Sequence, residues 1–130
     1  MKKRILIVDD HPQIVGSLYK TFSDHDYFEV CGQASTGQEA VEKARSLYPH
    51  LVILDLAIPE MHGLKTANAI SKILPDTPII LFTLYAQNIK DSNMDVSAVT
   101  RIVPKGDPAT LLANAEDLVH AANASFNFPR

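Results

Sequence analysis

Five short runs of β-branched and other apolar residues alternate with five longer stretches whose apolar residues recur at helical spacing, and this alternation limits the fold more than anything else. The strand candidates are residues 5–8, 29–34, 51–56, 78–83 and 99–103. Three are almost wholly apolar, as parallel strands covered on both faces must be. Residues 12–23 place Ile14, Val15, Leu18, Tyr19 and Phe22 on one helical face. Residues 38–48 do the same with Ala40, Val41, Ala44, Leu47 and Tyr48, and Pro49 stops that helix. Residues 63–74 and 108–122 complete the strong helices, the latter with Leu111, Leu112, Ala115, Leu118 and Val119. The fourth helix candidate, 85–96, has only Ala86, Ile89 and Met94 as apolar residues among Gln87, Asn88, Ser92 and Asn93, which predicts a short or irregular element. Strict alternation with right-handed crossovers predicts an α/β fold: a doubly wound five-stranded parallel sheet with helices on both faces. In such sheets the functional crevice lies beyond the carboxyl ends of the strands, where strand order reverses.

With 130 residues, the chain can bury enough surface to fold as one domain without a disulfide or structural metal. Its single cysteine, Cys31, excludes an internal disulfide. The expected domain is 1–122, and residues 123–130, where helical periodicity ends and Pro129 follows, read as a tail or the start of a linker. Lys2, Lys3 and Arg4 precede only four apolar residues, far short of a signal peptide, and no run approaches a membrane span. The expectation is therefore a cytoplasmic protein with no membrane partner. A net charge of −3 without clustered Lys and Arg beyond residues 2–4 argues against direct nucleic-acid binding by this domain.

Reactive residues stand at four of the five strand ends. Asp9 and Asp10 follow the first run, Asp55 sits inside the third, Thr83 closes the fourth and Lys105 follows the fifth. Each has a plain structural explanation. Asp10 could cap the helix that begins near Pro12, Asp55 could pair with Lys105, Thr83 is a good strand former, and Lys105 could be a solvated surface charge. Asp55 is the hardest to explain so, because a carboxylate amid Leu51, Val52, Ile53, Leu54, Leu56 and Ile58 is costly to bury unless paired or coordinated. Three carboxylates brought together need a cation, and oxygen ligands of this kind suit Mg²⁺.

Asp9-Asp10 after Ile-Leu-Ile-Val, the run Asp55-Leu-Ala-Ile-Pro-Glu-Met-His-Gly-Leu64, Thr83 and Lys105, in that order and spacing, resemble the receiver domain of two-component response regulators over nearly the whole chain. That resemblance implies flavodoxin-like topology with strand order 2-1-3-4-5. It implies Mg²⁺-dependent phosphoryl transfer to Asp55 from a phosphohistidine on a sensor histidine kinase or histidine phosphotransferase. Asp10, Asp55 and the backbone carbonyl of Ala57 would hold the metal, with Asp9 acting through water. Lys105 and Thr83 would meet the phosphoryl oxygens, as that chemistry requires positive charge and hydrogen-bond donors. Pro59 and Gly63 would shape the turn after the acceptor. Self-phosphorylation and self-dephosphorylation would be the only intrinsic activities, and a homodimer through the fourth helix, fifth strand and fifth helix is a further implication. The Asp-Asp-His-Pro opening is similar to that of receivers joined to DNA-binding output domains, pointing to transcription regulation by a longer protein.

The sequence departs from the family at the switch. Ile102 stands where receivers carry an aromatic residue three positions before the lysine, and isoleucine is stiff at χ1. Tyr85 is the candidate substitute as the moving aromatic. Pro104 removes a backbone donor from the fifth strand, which places it at a sheet edge or ends it early. Ala57 and Tyr85 occupy positions that flank the path of water in the family, implying moderate self-dephosphorylation. Two other readings remain open: a degenerate receiver acting as a constitutive interaction module, and a Mg²⁺-dependent aspartyl-phosphate hydrolase. The second lacks an acid-base carboxylate at Ala57 and any insertion long enough for a lid. A flavin-binding domain is disfavoured because Asp9, Asp10 and His11 occupy the place of a phosphate-cradling loop.

Overall fold

Each apolar run becomes a strand and each amphipathic stretch a helix in the computed structural model, which describes residues 2–58 and 61–126. Among these residues the order is β1 (Lys3–Val8), α1 (Pro12–Ser23), β2 (Phe28–Ala34), α2 (Gly37–Leu47), β3 (Leu51–Leu54), α3 (Gly63–Ile73), β4 (Ile79–Thr83), α4 (Ala86–Lys90), β5 (Arg101–Pro104) and α5 (Pro108–Phe126). The five strands pair in parallel in the order β2-β1-β3-β4-β5. This is the doubly wound topology expected. The order reverses at β1, so the crevice opens beside the carboxyl ends of β1 and β3.

Strand side chains alternate between two cores, because successive residues face opposite sides of a sheet. Leu6, Val8, Val52, Leu54, Ile79 and Leu81 join residues of α2, α3 and α4. Ile5, Ile7, Leu51, Ile53, Ile80 and Phe82 join residues of α1 and α5 on the other side. Interior strands buried on both faces explain the unbroken apolar runs.

Local chemistry sets the helix ends. Pro12 begins α1 at its first turn, where the missing N–H is no loss. Thr36 caps α2 by accepting from the Glu39 N–H at 3.0 Å, while Glu39 Oε1 accepts from the Ser35 N–H at 2.8 Å. Several bounds differ from expectation. β3 ends at Leu54, which puts Asp55 just beyond the strand instead of inside it. β5 begins at Arg101, not residue 99, because the Thr100 side chain intrudes: its Oγ1 accepts from the Ile79 N–H at 3.0 Å. α4 is only five residues long, and Ser92 ends it by donating to the Ile89 carbonyl at 2.8 Å. α5 continues through Phe126, four residues past the expected end at Ala122. Pro104 closes an edge strand, as its missing donor requires, and its peptide bond with Val103 is trans.

Candidate functional site

Backbone hydrogen bonds bring the strand ends to one level. The Asp9 N–H donates to Ala34 at 3.0 Å, Asp55 to Val8 at 2.9 Å, and Lys105 to Thr83 at 2.9 Å. Asp9, Asp55 and Thr83 are buried at this rim, although each is polar. Ordered this way, the side chains of Asp9, Asp10, Asp55 and Lys105 share one small region.

Lys105 is the buried counter-charge. Its Nζ lies 2.7 Å from Asp9 Oδ2 and 3.4 Å from Asp55 Oδ2. The pairing of Asp55 with Lys105 is therefore present, but Asp9 holds the closer contact and Asp55 is the less compensated carboxylate. Burial pushes the Asp55 carboxyl above the ordinary carboxylate range; the Lys105 ammonium opposes this and the Asp9 charge adds to it. Asp10 does not cap α1. The N-cap position belongs to His11, which makes no side-chain cap, so the Asp10 carboxylate stays available at the rim.

His11 was not among the residues the sequence singled out for this site. Its backbone is extended, φ −98° and ψ 107°, as a residue before proline prefers, and its side chain turns back over the aspartates. The backbone N–H donates to Asp9 Oδ1 at 3.0 Å and ring Nδ1 to the same oxygen at 2.8 Å, with Asp10 Oδ1 3.2 Å away. The hydrogen bond to Asp9, followed by the charges of Asp9 and Asp10, raises the imidazole pKa. The signal for this residue was Pro12, which dictates the conformation of the residue before it.

One ligand atom from each of Asp9, Asp10, His11 and Asp55 falls within 4.8 Å of the others. Carboxylate oxygens gathered so closely, two of them buried, form a donor set suited to a hard divalent cation. Thr83 Oγ1 accepts from the Tyr85 N–H at 3.1 Å, so its hydroxyl is engaged by the turn into α4. Tyr85 is half exposed. Ile102 is not at this rim; it packs against the core shared with Ile89, Val96 and Val99. Ala57 is exposed on the loop after Asp55. Gly63 presses on that loop: a Cβ there would lie 2.5 Å from the Asp55 carbonyl oxygen, and its N–H donates to Leu56 at 2.8 Å. Pro59, the other expected turn residue, lies outside the described residues.

The family model for the response regulator receiver domain matches residues 5–116. The chain is 26% identical over 129 residues to the response regulator protein VraR of Staphylococcus saprophyticus, covering 98% of this chain and 58% of that protein. It is 39% identical over 87 residues to the chemotaxis protein CheY of Thermotoga maritima, covering 67% of this chain and 72% of that one. The chain spans a little over half the length of VraR and of the response regulator GacA of Pseudomonas viridiflava, at 58% and 55%. Among solved structures, the response regulator TrrA of T. maritima in complex with Mg²⁺-BeF is 34% identical, with a TM-score of 0.81, covering 89% of this chain and 98% of that one. A CheY-like receiver domain protein of Methanospirillum hungatei superposes with a TM-score of 0.84 at 26% identity, covering 96% and 99% of the two chains. With the sheet order, the rim of acids and the sequence match all agreeing, the chain belongs to the response regulator receiver domain family of two-component signalling.

Proposed function

We propose that Asp55 accepts a phosphoryl group from a phosphohistidine on a sensor histidine kinase or histidine phosphotransferase, and that the resulting charge switches the α4–β5–α5 face. The observation that carries this is Asp55 itself, a buried carboxylate at the mouth of the crevice whose nearest cation is shared with Asp9. An Asp55 oxygen forms the new bond to phosphorus as the phosphorus–nitrogen bond breaks, and the leaving imidazole takes up a proton. Lys105 is placed to move its ammonium from the carboxylates to a phosphoryl oxygen, and the Thr83 hydroxyl to donate to another. Mg²⁺ would be held by Asp10, Asp55 and the Ala57 carbonyl, with Asp9 through water, and would supply charge neutralisation when bound.

The same chemistry supplies a switch. The Thr83 hydroxyl accepts from the Tyr85 N–H, and drawing it toward a phosphoryl group breaks that bond and frees the turn into α4. Tyr85, half exposed on that turn, is the aromatic that responds; Ile102 is already packed in the core. Ala57 and Tyr85, both reaching solvent, set how readily water reaches the phosphoryl group, giving moderate self-dephosphorylation. The output is transcription regulation through a DNA-binding domain of a longer cytoplasmic protein, with homodimerisation through the switched face. The receiver extends through the end of α5 at Phe126, past the boundary at 122 expected from the sequence, and the output domain lies beyond it. The length of the relatives supports this, as does 39% identity over 83 residues to the transcriptional regulatory protein YhcZ of Bacillus subtilis.

Intact-mass analysis after incubation with acetyl phosphate and Mg²⁺ tests the proposal. One added phosphoryl group that is lost in Asp55→Asn and in EDTA is expected. No gain by a folded protein that binds Mg²⁺ would overturn the phosphoacceptor role.

A further inference from the structure

Among the described residues four polar or charged side chains are buried: Asp9, Asp55, Thr83 and Thr66. The first three stand at the rim of the crevice, whereas Thr66, on α3, has no part in the chemistry proposed there. We propose that Thr66 is a positioning residue for Asp55, its hydroxyl holding residues 61–63 as a wedge between α2 and the acceptor peptide. This rests on reading Asp55 as the phosphoacceptor. Thr66 is shielded from solvent, and its Oγ1 lies 3.1 Å from the carbonyl oxygens of both Met61 and His62, so its single proton is shared between them. The bond to His62, one helical turn back, is ordinary for a threonine in a helix. Met61 is different, because it precedes the N-cap and its carbonyl lies outside the helical ladder.

The wedge meets both neighbours at close range. On one side is Gly37, the first residue of α2, where a Cβ would lie 2.4 Å from Met61 Cβ, 2.4 Å from Thr66 Oγ1 and 2.6 Å from the Met61 carbonyl oxygen. On the other, a Cβ on Gly63 would lie 2.6 Å from Leu56 Cα, and 2.5 Å from the carbonyl oxygen of Asp55 itself. The atoms in contact are mostly backbone or one bond from it, so neither side yields by a rotamer change, and packed interiors transmit such displacements. The α2 wall is fixed in turn: Thr36 and Glu39 cap it around Ser35, and Ala34 just before accepts from the Asp9 N–H. The Asp55 N–H donates to Val8, next to Asp9. A closed circuit of contacts thus runs from Asp9 through α2 and the wedge to Asp55, and the Thr66 hydroxyl secures it at the wedge. In-line attack tolerates misplacement poorly, about 1 Å costing on the order of a hundredfold in rate.

The rate of phosphoryl gain from acetyl phosphate and Mg²⁺, followed by intact mass, tests this in wild type, Thr66→Val, Thr66→Ser and Gly37→Ala, at a temperature where circular dichroism shows each folded. Thr66→Val keeps the shape and removes the donor, so the rate should fall about tenfold, while Thr66→Ser, which keeps the hydroxyl, should stay within about twofold of wild type. If Thr66→Val does not fold, Thr66→Ala takes its place. Gly37→Ala displaces the same wedge from the α2 side and should also slow the reaction, and its effect combined with Thr66→Val should fall short of the product of the two. In the unphosphorylated protein without Mg²⁺, hydrogen exchange followed by NMR should be faster at the Gly63 amide in Thr66→Val and unchanged in Thr66→Ser. A wild-type rate in Thr66→Val, equal slowing in the valine and serine variants, or Gly63 exchange indifferent to Thr66→Val overturns the positioning role and leaves Asp55 as the acceptor. No phosphoryl gain in folded wild type, or a gain that survives Asp55→Asn, overturns the acceptor reading and this inference with it.

Discussion

Asp55 and Gly16 show how single residues here depart from what stability alone would choose. The Asp55 carboxyl is raised by burial, so the fold disfavours its ionised form. For an acid shifted this way, the folded state binds the proton more tightly than the unfolded chain, and stability falls as pH rises from the ordinary aspartate value through the folded one. The cost therefore grows as the pH rises through that interval. Asp55→Asn, measured in EDTA, should therefore raise the melting temperature at pH 7 by about 3 °C or more, a gain that shrinks below about pH 4 where both states are protonated. An unchanged or lower melting temperature at pH 7 would show that Lys105 compensates Asp55 fully. Gly16 sits inside α1, yet a Cβ added there would meet nothing within 4 Å; it opens on a groove of about 600 Å³ that Asp10, Val15 and Tyr19 also line. Nothing in the packing requires a glycine. Gly16→Ala should stabilise the fold by about 1 kcal/mol in urea denaturation, the usual difference between these residues in a helix interior.

Among the elements, the ones legible in sequence were those governed by periodicity and proline. α1 spans the expected residues because Pro12 fixes its start and the apolar face runs unbroken to Phe22. The weakness of α4 was equally legible in its polar composition. What escaped were side chains that replace backbone partners. Thr100 delays β5 by bonding Ile79, and His50 enters the gap between β1 and β3. His50 Nδ1 accepts from the Arg4 backbone N–H at 2.9 Å while the His50 backbone N–H donates to the Arg4 carbonyl at 2.8 Å, and the Arg4 guanidinium donates to the Tyr48 carbonyl at 2.9 Å. No hydropathy pattern predicts an imidazole acting as a strand carbonyl. Likewise, Asp9, Asp10, Asp55 and Lys105 were found from strand ends, but His11 was not, because its place depends on a backbone angle. The acceptor role of His50 requires the neutral ring, and burial, followed by the charges of Lys3 and Arg4, lowers its pKa. A base lowered this way stabilises the fold fully above its unfolded value of about 6.5, and the contribution erodes as pH falls from there through the folded value. His50→Asn keeps an acceptor without the titration. Its urea stability should fall less than wild type between pH 7 and pH 5; parallel curves would remove His50 as a source of the dependence.

At the scale of the whole molecule, the central sheet and the α4 side differ in how firmly they are held. β1, β3 and β4 are buried on both faces, whereas α4 is one short helix followed by residues 91–100 without a strand or helix. Amides in the central strands should therefore open only with global unfolding, and those of 84–100 through cheaper local openings. The Thr83–Tyr85 hydrogen bond joins the two regions. If phosphorylation draws the Thr83 hydroxyl to the site, the Tyr85 N–H loses its acceptor and the change passes into the loosely held side of the molecule, because the rigid sheet cannot absorb it. Hydrogen exchange followed by mass spectrometry, with and without acetyl phosphate and Mg²⁺, should show altered rates in segments covering 84–104 and unaltered rates in β1 and β3. Thr83→Ala should still gain the phosphoryl group but lose most of that difference. Exchange that is identical in the phosphorylated and unphosphorylated protein would mean that the chemistry is uncoupled from the α4–β5–α5 face, and that this receiver signals as a constitutive binding module.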